Sequence, residues 1–371
     1  MLESALGIRL LLWVGTTVPR PRPELLPALQ SVEVTNDADT GDGFQLTFAV
    51  GKDLTGGYDV VESGAFELLN RVWIAAVLGV VPEMLIDGVV TRHDLRPSWE
   101  PGRSTFTVTG EDVTLKLDLE ERNEPYSNQP DSVIVTKLLG AYPELGLVPR
   151  VTATTDVPTE TDRIPHQHET DLELIRRVAR RNGFVFYLEP LTVGTNTAHW
   201  GPVIRGGLPQ PALTGGQGPF HNVRSMTFAN DGLAPVAAGG AFLDPITKQR
   251  VPIPPLPPLR LPPLAGRATP AARKRLLRTT ANAGPVQTAL ASAAAATGAP
   301  EPVSGQGELD TVRYGGVLRA RGLVGVRGAG RSNNGDYYVR SVTHQIGIGS
   351  YTQSFTLSRE GTGSLVPAVR P

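Results

Sequence analysis

The sequence of 371 residues contains no cysteine, which excludes disulfides, thiolate metal sites and thiol nucleophiles. It also lacks an excess of either charge, because Lys+Arg number 35 and Asp+Glu number 36. Nucleic-acid-binding proteins usually carry a basic excess, so this balance argues against nucleic-acid specificity. The same balance suits a subunit that is largely buried in an assembly.

Long apolar runs are missing as well. The apolar stretch near the N-terminus, Ile8–Gly15, is interrupted by Arg9, is too short to span a bilayer and has no basic segment before it. We predict an early strand there, no signal peptide, no transmembrane segment and no membrane insertion. The protein is expected to be cytoplasmic on synthesis and to leave the cell only as part of a particle or after lysis.

Glycine (41 residues) and proline (33 residues) are abundant instead, which indicates many turns and few long helices. This composition favours a β-rich fold. In the first third of the chain, Phe44, Leu46 and Phe48 alternate with polar residues, as in a half-buried strand. Further strands are predicted over Val72–Ala76, Met84–Thr91 and Thr105–Thr109, with Asp87-Gly88 as a turn or bulge signal and Pro101-Gly102 as a second turn.

The middle of the chain changes to helical spacing. One helix is predicted to begin at Pro130-Asp131-Ser132 and to stop at Pro143. A second helix begins at Thr170, where Thr170 and Glu173 form a capping box, and ends at Asn182-Gly183 with a left-handed cap. A strand over Phe184–Leu188 follows.

A proline-rich segment and a second strand-rich block complete the chain. The segment Val251–Ala265 is predicted to be extended, either as a recognition ligand or, the reading we favour, as a stiff crossover or insertion loop. Residues 271–296 are predicted to be helical, with a break near Gly284-Pro285. The last block, 315–359, contains a hairpin signal at 333–336 and strands over 337–343 and 354–358. Because its closing strand resembles that of the first block, duplication is a hypothesis at this stage.

No catalytic or metal-binding set emerges from the titratable residues. His166-x-His168-Glu169 lacks converging partners and is interpreted as a polar loop before the second helix. Asp37, Asp39 and Asp42 miss the spacing of a calcium loop and are interpreted as a solvated turn. His344 is interpreted as a packed or hydrogen-bonded histidine rather than a base. The paired acids Glu111-Asp112 and Glu120-Glu121 are adjacent in sequence and do not indicate two carboxylates across a cleft. Gly328-Ala329-Gly330 lacks the third glycine and the following helix of a dinucleotide-binding loop, and there is no Walker lysine motif and no nucleophile elbow. We therefore predict no enzyme, no metal and no cofactor.

Four arginines interleaved with glycine form a basic pattern in the last block. They are Arg319, Arg321, Arg327 and Arg331. They could contact a nucleic acid, line a pore or pair with a neighbouring subunit. The balanced net charge favours the pore or the subunit contact.

Several segments in order resemble a known family. Met84–Thr91, Pro101-Gly102 and Val108–Asp112 look like the first barrel of phage tail hub proteins, and Thr170–Tyr187 is similar to the helix–strand unit of the late control D family and of the base half of VgrG spikes. Arg313–Val317, Gly335–Val339, Val342–His344 and Tyr351–Arg359 resemble the second barrel of that family. The resemblance spans about residues 28 to 362. The residues it marks as structural signatures are Asp87, Gly88, Gly110, Asp112, Thr170, Glu173, Asn182, Gly183, Tyr314, Gly315, Tyr338, His344 and Phe355.

The resemblance implies a β-rich α+β fold with two tail-tube-like antiparallel β-barrels joined by an α/β region. It implies a homotrimer with pseudo-sixfold symmetry, acting as the structural baseplate hub of a contractile, phage tail-like injection system between a sixfold tube and a threefold spike. The expected partners are a tail tube or tube-initiator protein, a separate spike protein and baseplate wedge proteins. The expected division is an N-terminal segment (1–27), first barrel (28–111), α/β connecting domain (112–197), start of the second barrel (198–240), proline-rich loop and helical insertion (241–306), rest of the second barrel (307–362) and C-terminal tail (363–371).

Two alternatives remain open from the sequence. A tail-associated cell-wall hydrolase would need convergent acids or an additional domain, and neither is apparent. A receptor- or carbohydrate-binding tail protein would need exposed aromatic clusters, yet the 4 tryptophans and 8 tyrosines are thinly spread.

Overall fold

One sheet of thirteen strands runs through the protein, and smaller sheets and helices pack around it. The computed structural model describes residues 8–52, 56–79, 81–100, 102–158, 164–216, 221–243, 247–277 and 285–365. Pro101 of the predicted turn, Gly284 of the predicted helix break and most of the C-terminal tail therefore lie outside the described residues. No helix in these ranges is both long and apolar enough to cross a bilayer.

The first half of the sheet, which we call unit one, is built from the N-terminal strands. Its elements are β1 (Ile8–Gly15), β2 (Arg20–Pro21), β3 (Leu29–Asp37), β4 (Gly43–Ala49), α1 (Asp59–Glu62), β5 (Arg71–Leu78), β6 (Val81–Arg96) and β7 (Thr105–Asp112). The strands are ordered β3-β4-β7-β6-β5-β1, all antiparallel. Phe44, Leu46 and Phe48 point into one core, as their alternation predicted. The early strand predicted over Ile8–Gly15 is confirmed as β1, which belongs to this sheet.

Strand β6 is long because it serves two neighbours. Residues 81–89 pair with β5 and residues 88–96 pair with β7. Asp87-Gly88, predicted as a turn or bulge, instead lies inside this strand where the partner changes. The register shifts occur on either side of that point, and such irregularities allow a strand to bend.

The middle region has its own core and connects the two halves of the sheet. Its elements are β8 (Glu121–Pro125), α2 (Asp131–Leu139), β9 (Leu147–Val151), β10 (His166–Thr170), α3 (Asp171–Asn182), β11 (Val185–Thr192) and β12 (Thr195–Gly201). The sheet β11-β12-β9 packs with α2 and α3 around Trp200 and Ile175. Residues 198–201, expected to open the second barrel, instead end β12.

Local signals in the middle region are confirmed with two exceptions, the first being that α2 ends at Leu139 and does not continue to Pro143. Thr170 and Glu173 form the predicted capping box of α3, and Gly183 ends this helix with φ +68°. The segment His166–Thr170, predicted as a polar loop, is instead a strand that pairs with β8. Pairing with a neighbour 41 to 49 residues away cannot be read from a short polar sequence.

The second half of the sheet, unit two, begins with β13 (Gln210–Thr214) and β14 (Val223–Asn230). An insertion follows, formed by β15 (Val236–Leu243), β16 (Arg250–Ile253), β17 (Ala265–Ala268), β18 (Arg273–Leu276) and α4 (Pro285–Thr297). The unit continues with β19 (Val303–Asp310), α5 (Thr311–Tyr314), β20 (Leu323–Arg327), β21 (Gly335–Gly347), β22 (Ser350–Arg359) and β23 (Gly361–Ser364). The strands are ordered β14-β19-β22-β21-β20-β13 around a separate core.

The insertion differs from expectation over part of its length. The helix predicted over 271–296 exists only as α4, because residues 273–276 form β18 and pair in parallel with β15. Backbone pairing in the fold therefore overrides the helix-favouring composition of this stretch. Of the predicted proline-rich segment, residues 251–253 belong to β16 and residues 254–264 have no regular secondary structure. Its extended conformation stays a prediction.

The two units share one topology. In chain order, β1, β3, β4, β5, β6 and β7 of unit one correspond to β13, β14, β19, β20, β21 and β22 of unit two, and the order within the sheet is the same. The short helices α1 and α5 occupy the same place, before β5 and β20. One pairing differs, since β13 runs parallel to β20 whereas β1 is antiparallel to β5. The weak sequence similarity between the two blocks thus coincides with corresponding strands, β7 and β22.

A direct strand pairing joins the units into one sheet. β21 of unit two pairs with β3 of unit one from Ser341↔Asp37 to Gly347↔Ser31. Within the described ranges no strand pairing closes either unit into a barrel. The resemblance implied two barrels, whereas the structure shows one continuous sheet.

Gly110 provides a test of packing in unit one. A Cβ atom at this position would lie 2.3 Å from the ring of Phe44 and 2.3 Å from the carbonyl oxygen of Val89. We expect Gly110→Ala to lower the free energy of unfolding by about 1–3 kcal/mol in urea titrations, because a packed core tolerates added volume poorly. Gly51→Ala is the matched control, since nothing lies within 4 Å of its added methyl group. Equal losses in the two variants would contradict this account.

Candidate functional site: the junction of the units and the arginine cleft

A buried ion pair connects the two units beside the β21–β3 pairing. Arg321, just before β20, donates two hydrogen bonds to Asp42 in the β3–β4 turn, at 2.6 and 3.0 Å. Only 7% of the arginine side chain and 3% of the aspartate side chain are exposed. Arg321 also donates to the carbonyl oxygen of Asp37, and the Asn36 amide donates to Asp42. The interpretation of Asp42 as part of a solvated turn is therefore wrong.

Arg321 brings the middle region into the same contact. Its guanidinium lies 4.5 Å from the ring centre of Tyr187 on β11, which favours a cation–π interaction. Its backbone has φ +63°, a conformation that side chains rarely adopt without compensation. The ion pair and the ring contact supply that compensation. Through these two contacts, unit one, unit two and the middle region all meet at the Arg321 side chain.

Two of the other three arginines that are interleaved with glycine, Arg319 and Arg327, also have partners within the chain. Arg319 pairs with Glu83 on β6 at 2.8 Å, where both side chains are partly exposed. Arg327 donates to the Thr214 hydroxyl. Arg321, which is buried between the two units of one chain, therefore does not line a pore. Arg319 also joins the two units but stays partly exposed, so a role for it in a pore or a subunit contact remains a prediction.

A neutral histidine completes the junction. His344 on β21 lies between the Tyr351 hydroxyl, 2.8 Å from Nδ1, and the Asn36 side-chain oxygen, 3.1 Å from Nε2. The Gln353 amide is 3.2 Å from Nδ1. Burial lowers the pKa of His344 to about 3, with Arg319 contributing in the same direction. The ring is therefore packed and hydrogen-bonded, as interpreted from the sequence.

A second buried ion pair attaches unit one to the middle region. Arg71 on β5 binds both carboxylate oxygens of Asp87, at 2.8 and 2.6 Å. The same guanidinium donates to the carbonyl oxygens of Glu144 and Leu145, and Asn196 on β12 donates to Asp87. Because all three guanidinium nitrogens of Arg71 and both carboxylate oxygens of Asp87 have partners, the ion pair can be buried without an uncompensated charge.

A cleft of about 820 Å³ lies beside the junction, between α3, α4 and β21. Seven arginines and two carboxylates line it, although the chain as a whole has a net charge of −1. The arginines are Arg176, Arg180, Arg181, Arg205, Arg260, Arg275 and Arg340, and the carboxylates are Asp39 and Glu301. We refer to this surface as the arginine cleft.

Part of the arginine cleft is neutralised by ion pairs. Arg205 is buried and binds Glu301 at 2.6 Å and Glu360 at 3.1 Å. Arg340 pairs with Asp39, and Arg181 pairs with Asp131 outside the cleft. Burial lowers the pKa of Arg260 because its guanidinium is desolvated, and the carboxylate of Glu301, 3.8 Å away, only partly opposes this shift.

Three arginines of the cleft have no ion pair among the described residues. They are Arg176 and Arg180 on α3 and Arg275 on β18. Arg176 and Arg180 are four residues apart and so lie on one face of the helix. Arg180 and Arg275 are exposed, so the cleft is open to solvent.

The signature residues implied by the resemblance are spread over the fold. Asp87 and His344 belong to the two polar contacts described above, and Asp112 caps a short helix while accepting from the Asp42 backbone. Gly88 and Gly110 adjoin the Phe44 ring, Thr170, Glu173, Asn182 and Gly183 form the ends of α3, and Tyr314 and Gly315 end α5. Phe355 is in the core of unit two, and Tyr338 lines the arginine cleft with Gly183. Their roles as family signatures stay predictions.

The sequence did not single out the arginine cleft. Arg176 and Arg180 lie in the second half of α3, where basic residues complement the helix dipole, and Arg260, Arg275 and Glu301 show no pattern in the sequence. These residues are up to 125 positions apart, so only the fold brings them together. Among the described residues, no group of three or more acidic or histidine side chains is placed to hold a metal ion.

The buried ion pair at the junction predicts a large effect of one substitution. Arg321→Met leaves Asp42 buried without its cation, so we expect a loss of about 3–5 kcal/mol in the free energy of unfolding, measured with urea. Arg319→Met is the matched control, because it removes the partly exposed pair with Glu83 and should lose at most about 1 kcal/mol. If both variants lose the same amount, Arg321 has no special role.

His344 predicts a pH dependence. The folded state keeps this ring neutral down to about pH 3, whereas the unfolded chain binds a proton below its ordinary pKa of 6.5. Stability is therefore lost as the pH falls from 6.5 toward 3, by about 2 kcal/mol at pH 5 for this residue. In His344→Gln, which cannot titrate, the decline between pH 7 and pH 5 should be smaller by that amount. Parallel pH profiles of the two proteins would rule this out.

Comparison with known proteins gives a consistent fold. No protein-family model matches the chain, and no curated protein sequence matches it significantly. A tail protein from Neisseria meningitidis MC58 matches with a TM-score of 0.61 and 13% identity, covering 96% of this chain and 98% of that protein. The 43 kDa tail protein of prophage MuSo2 from Shewanella oneidensis matches with a TM-score of 0.62 and 14% identity, over 95% and 98% of the two chains.

A third solved structure extends the similarity beyond phages. An E. coli component of the type VI secretion system, described as structurally similar to the phage T4 tail proteins gp27 and gp5, matches with a TM-score of 0.50 and 14% identity. The match covers 92% of this chain and 77% of that protein. Since these similarities run along nearly the whole chain, they include both units and the middle region. The protein therefore has the fold of phage tail proteins.

Proposed function

We propose that the protein is the structural baseplate hub of a contractile, phage tail-like injection system. The observation that carries this proposal is the presence of two units with one strand order in a single chain. A homotrimer would then present six similar units to a sixfold tail tube while keeping a threefold axis for a spike. In this role the protein acts by positioning its partners and not by catalysis, and each unit takes part in a tube-like barrel.

The pairing between the units suggests how neighbouring chains meet. Within one chain, β21 of unit two pairs with β3 of unit one. The corresponding contact between chains joins β6, the equivalent of β21, to β14, the equivalent of β3. Beyond Val90, β6 has a partner only on its β7 side among the described residues, and β14 has a partner only on its β19 side. Unpaired strand edges of this kind readily pair with another chain.

The remaining partners follow from this role. One face of the ring would contact the tail tube or a tube-initiator protein, the other a separate spike protein, and the rim would contact baseplate wedge proteins. Particles containing all of them would form in the cytoplasm. We propose no nucleic-acid specificity and no insertion into a membrane.

Engineered cysteines test the trimer and its contact together. Because the chain has no cysteine, Leu95→Cys on β6 can be combined in turn with Ser225→Cys, Thr227→Cys or Ala229→Cys on β14 without background. We expect native mass spectrometry of the unmodified protein, 39.5 kDa per chain, to show a trimer. At least one cysteine pair should yield chains linked in threes after oxidation, because paired strands place Cβ atoms within disulfide range.

The control pair is Leu95→Cys with Leu119→Cys, an exposed position outside the proposed contact. It should stay unlinked. A protein that remains a monomer at high concentration and in the presence of tube and spike proteins would refute the proposed function. A trimer that no β6–β14 pair can link would refute the proposed contact alone.

A further inference from the structure

We infer that the arginine cleft binds an extended acidic peptide segment of a partner protein, which adds as a strand to the edge of β11. This inference does not depend on the trimer proposed above. It concerns a surface within one chain and can be tested on the purified protein.

The first argument is the charge of the cleft. Seven arginines and two carboxylates line it, and Arg176, Arg180 and Arg275 have no ion pair among the described residues. Guanidinium groups crowded in one cleft repel each other and gain stability when an anion binds between them. Every cation of the cleft is an arginine, whose planar group forms paired hydrogen bonds with carboxylates.

The second argument is the free strand edge. β11 is an outer strand of the sheet β11-β12-β9. Phe184, just before β11, and the first three residues of the strand, Val185 to Tyr187, line the arginine cleft. Side chains of a strand alternate between the two faces of a sheet, so consecutive residues can all line one cleft only along the edge. The N–H of Phe184 already donates to the Ala179 carbonyl, but among the described residues the backbone of Val185, Phe186 and Tyr187 pairs only with β12. Their outer edge is therefore open to strand addition, which is a common mode of peptide recognition.

The third argument is the apolar part of the lining, which distinguishes a peptide from a nucleic acid or a simple anion. Ala291, Ala294 and Ala295 of α4 face α3 across the cleft. The close approach of Ala294 to Gly183 keeps the two helices together, since a Cβ atom on Gly183 would be 3.1 Å from the Ala294 backbone. An extended peptide offers acidic side chains to the arginines and apolar ones to the alanines on alternate positions.

Fluorescence anisotropy with a defined probe tests the inference. The probe is a short fluorescein-labelled peptide of alternating glutamate and valine, and a lysine–valine peptide is its counterpart. We expect the acidic probe to bind and the basic one not to bind. The double variant Arg176→Ala/Arg180→Ala should weaken binding at least about tenfold, because two charge-assisted contacts are lost.

Matched variants separate the cleft from general charge. Arg177→Ala/Arg273→Ala removes the same number of charges from α3 and β18 outside the cleft and should bind the probe like the unmodified protein. Hydrogen exchange should show slower exchange in β11 when the probe is bound. Two further probes are methylated on the backbone nitrogens, one at its valines and the other at its glutamates. Only one of these two probes should lose binding, because successive residues direct their N–H groups to opposite edges of the added strand and only one edge pairs with β11.

Three results would overturn the inference. The first is equal binding by the cleft variant and the control variant. The second is displacement of the probe by inorganic phosphate at millimolar concentration, which would indicate a small-anion site. The third is tighter binding of a single-stranded oligonucleotide than of the probe, which would indicate a nucleic-acid surface.

Discussion

The ion pair between Asp42 and Arg321 holds together the parts of the protein that the chain itself keeps far apart. The two residues are 279 positions apart, yet they are hydrogen-bonded and almost fully buried. Around them, β3 pairs with β21 and the Tyr187 ring covers the guanidinium. Removing two charges from water is unfavourable unless geometry and hydrogen bonds compensate, so this contact tolerates little displacement. The relative position of the units is therefore fixed by these polar groups as well as by the pairing of β3 with β21.

Local structure could be predicted from the sequence wherever neighbouring residues determine it. The capping box at Thr170, the left-handed end at Gly183 and the alternation in β4 depend on residues a few positions apart, and each was found as predicted. The β-rich fold followed from composition and from the resemblance. Predictions failed where distant pairing decides the conformation, as in β10 and β18.

The candidate sites were harder to predict because they depend on partners brought together by the fold. Asp42 lies in a turn with two other aspartates and looks solvated until Arg321 is placed against it. Arg176 and Arg180 look like ordinary residues at the end of a helix until β18 and α4 face them. A charged residue in a sequence has many candidate partners. Burial strengthens the interaction with one of them, and burial is a property of the folded chain.

The insertion between β14 and β19 has a geometric consequence for any assembly of this protein. In unit one, the equivalent connection between β3 and β4 is a turn of a few residues, whereas in unit two it contains four strands and a helix. The two units are thus alike in their sheets and unlike at this connection. In the proposed ring, every second unit would carry the extra lobe. The six near-equivalent positions of the ring would then alternate between units with and without this lobe. A protein that binds the ring could therefore distinguish odd positions from even ones.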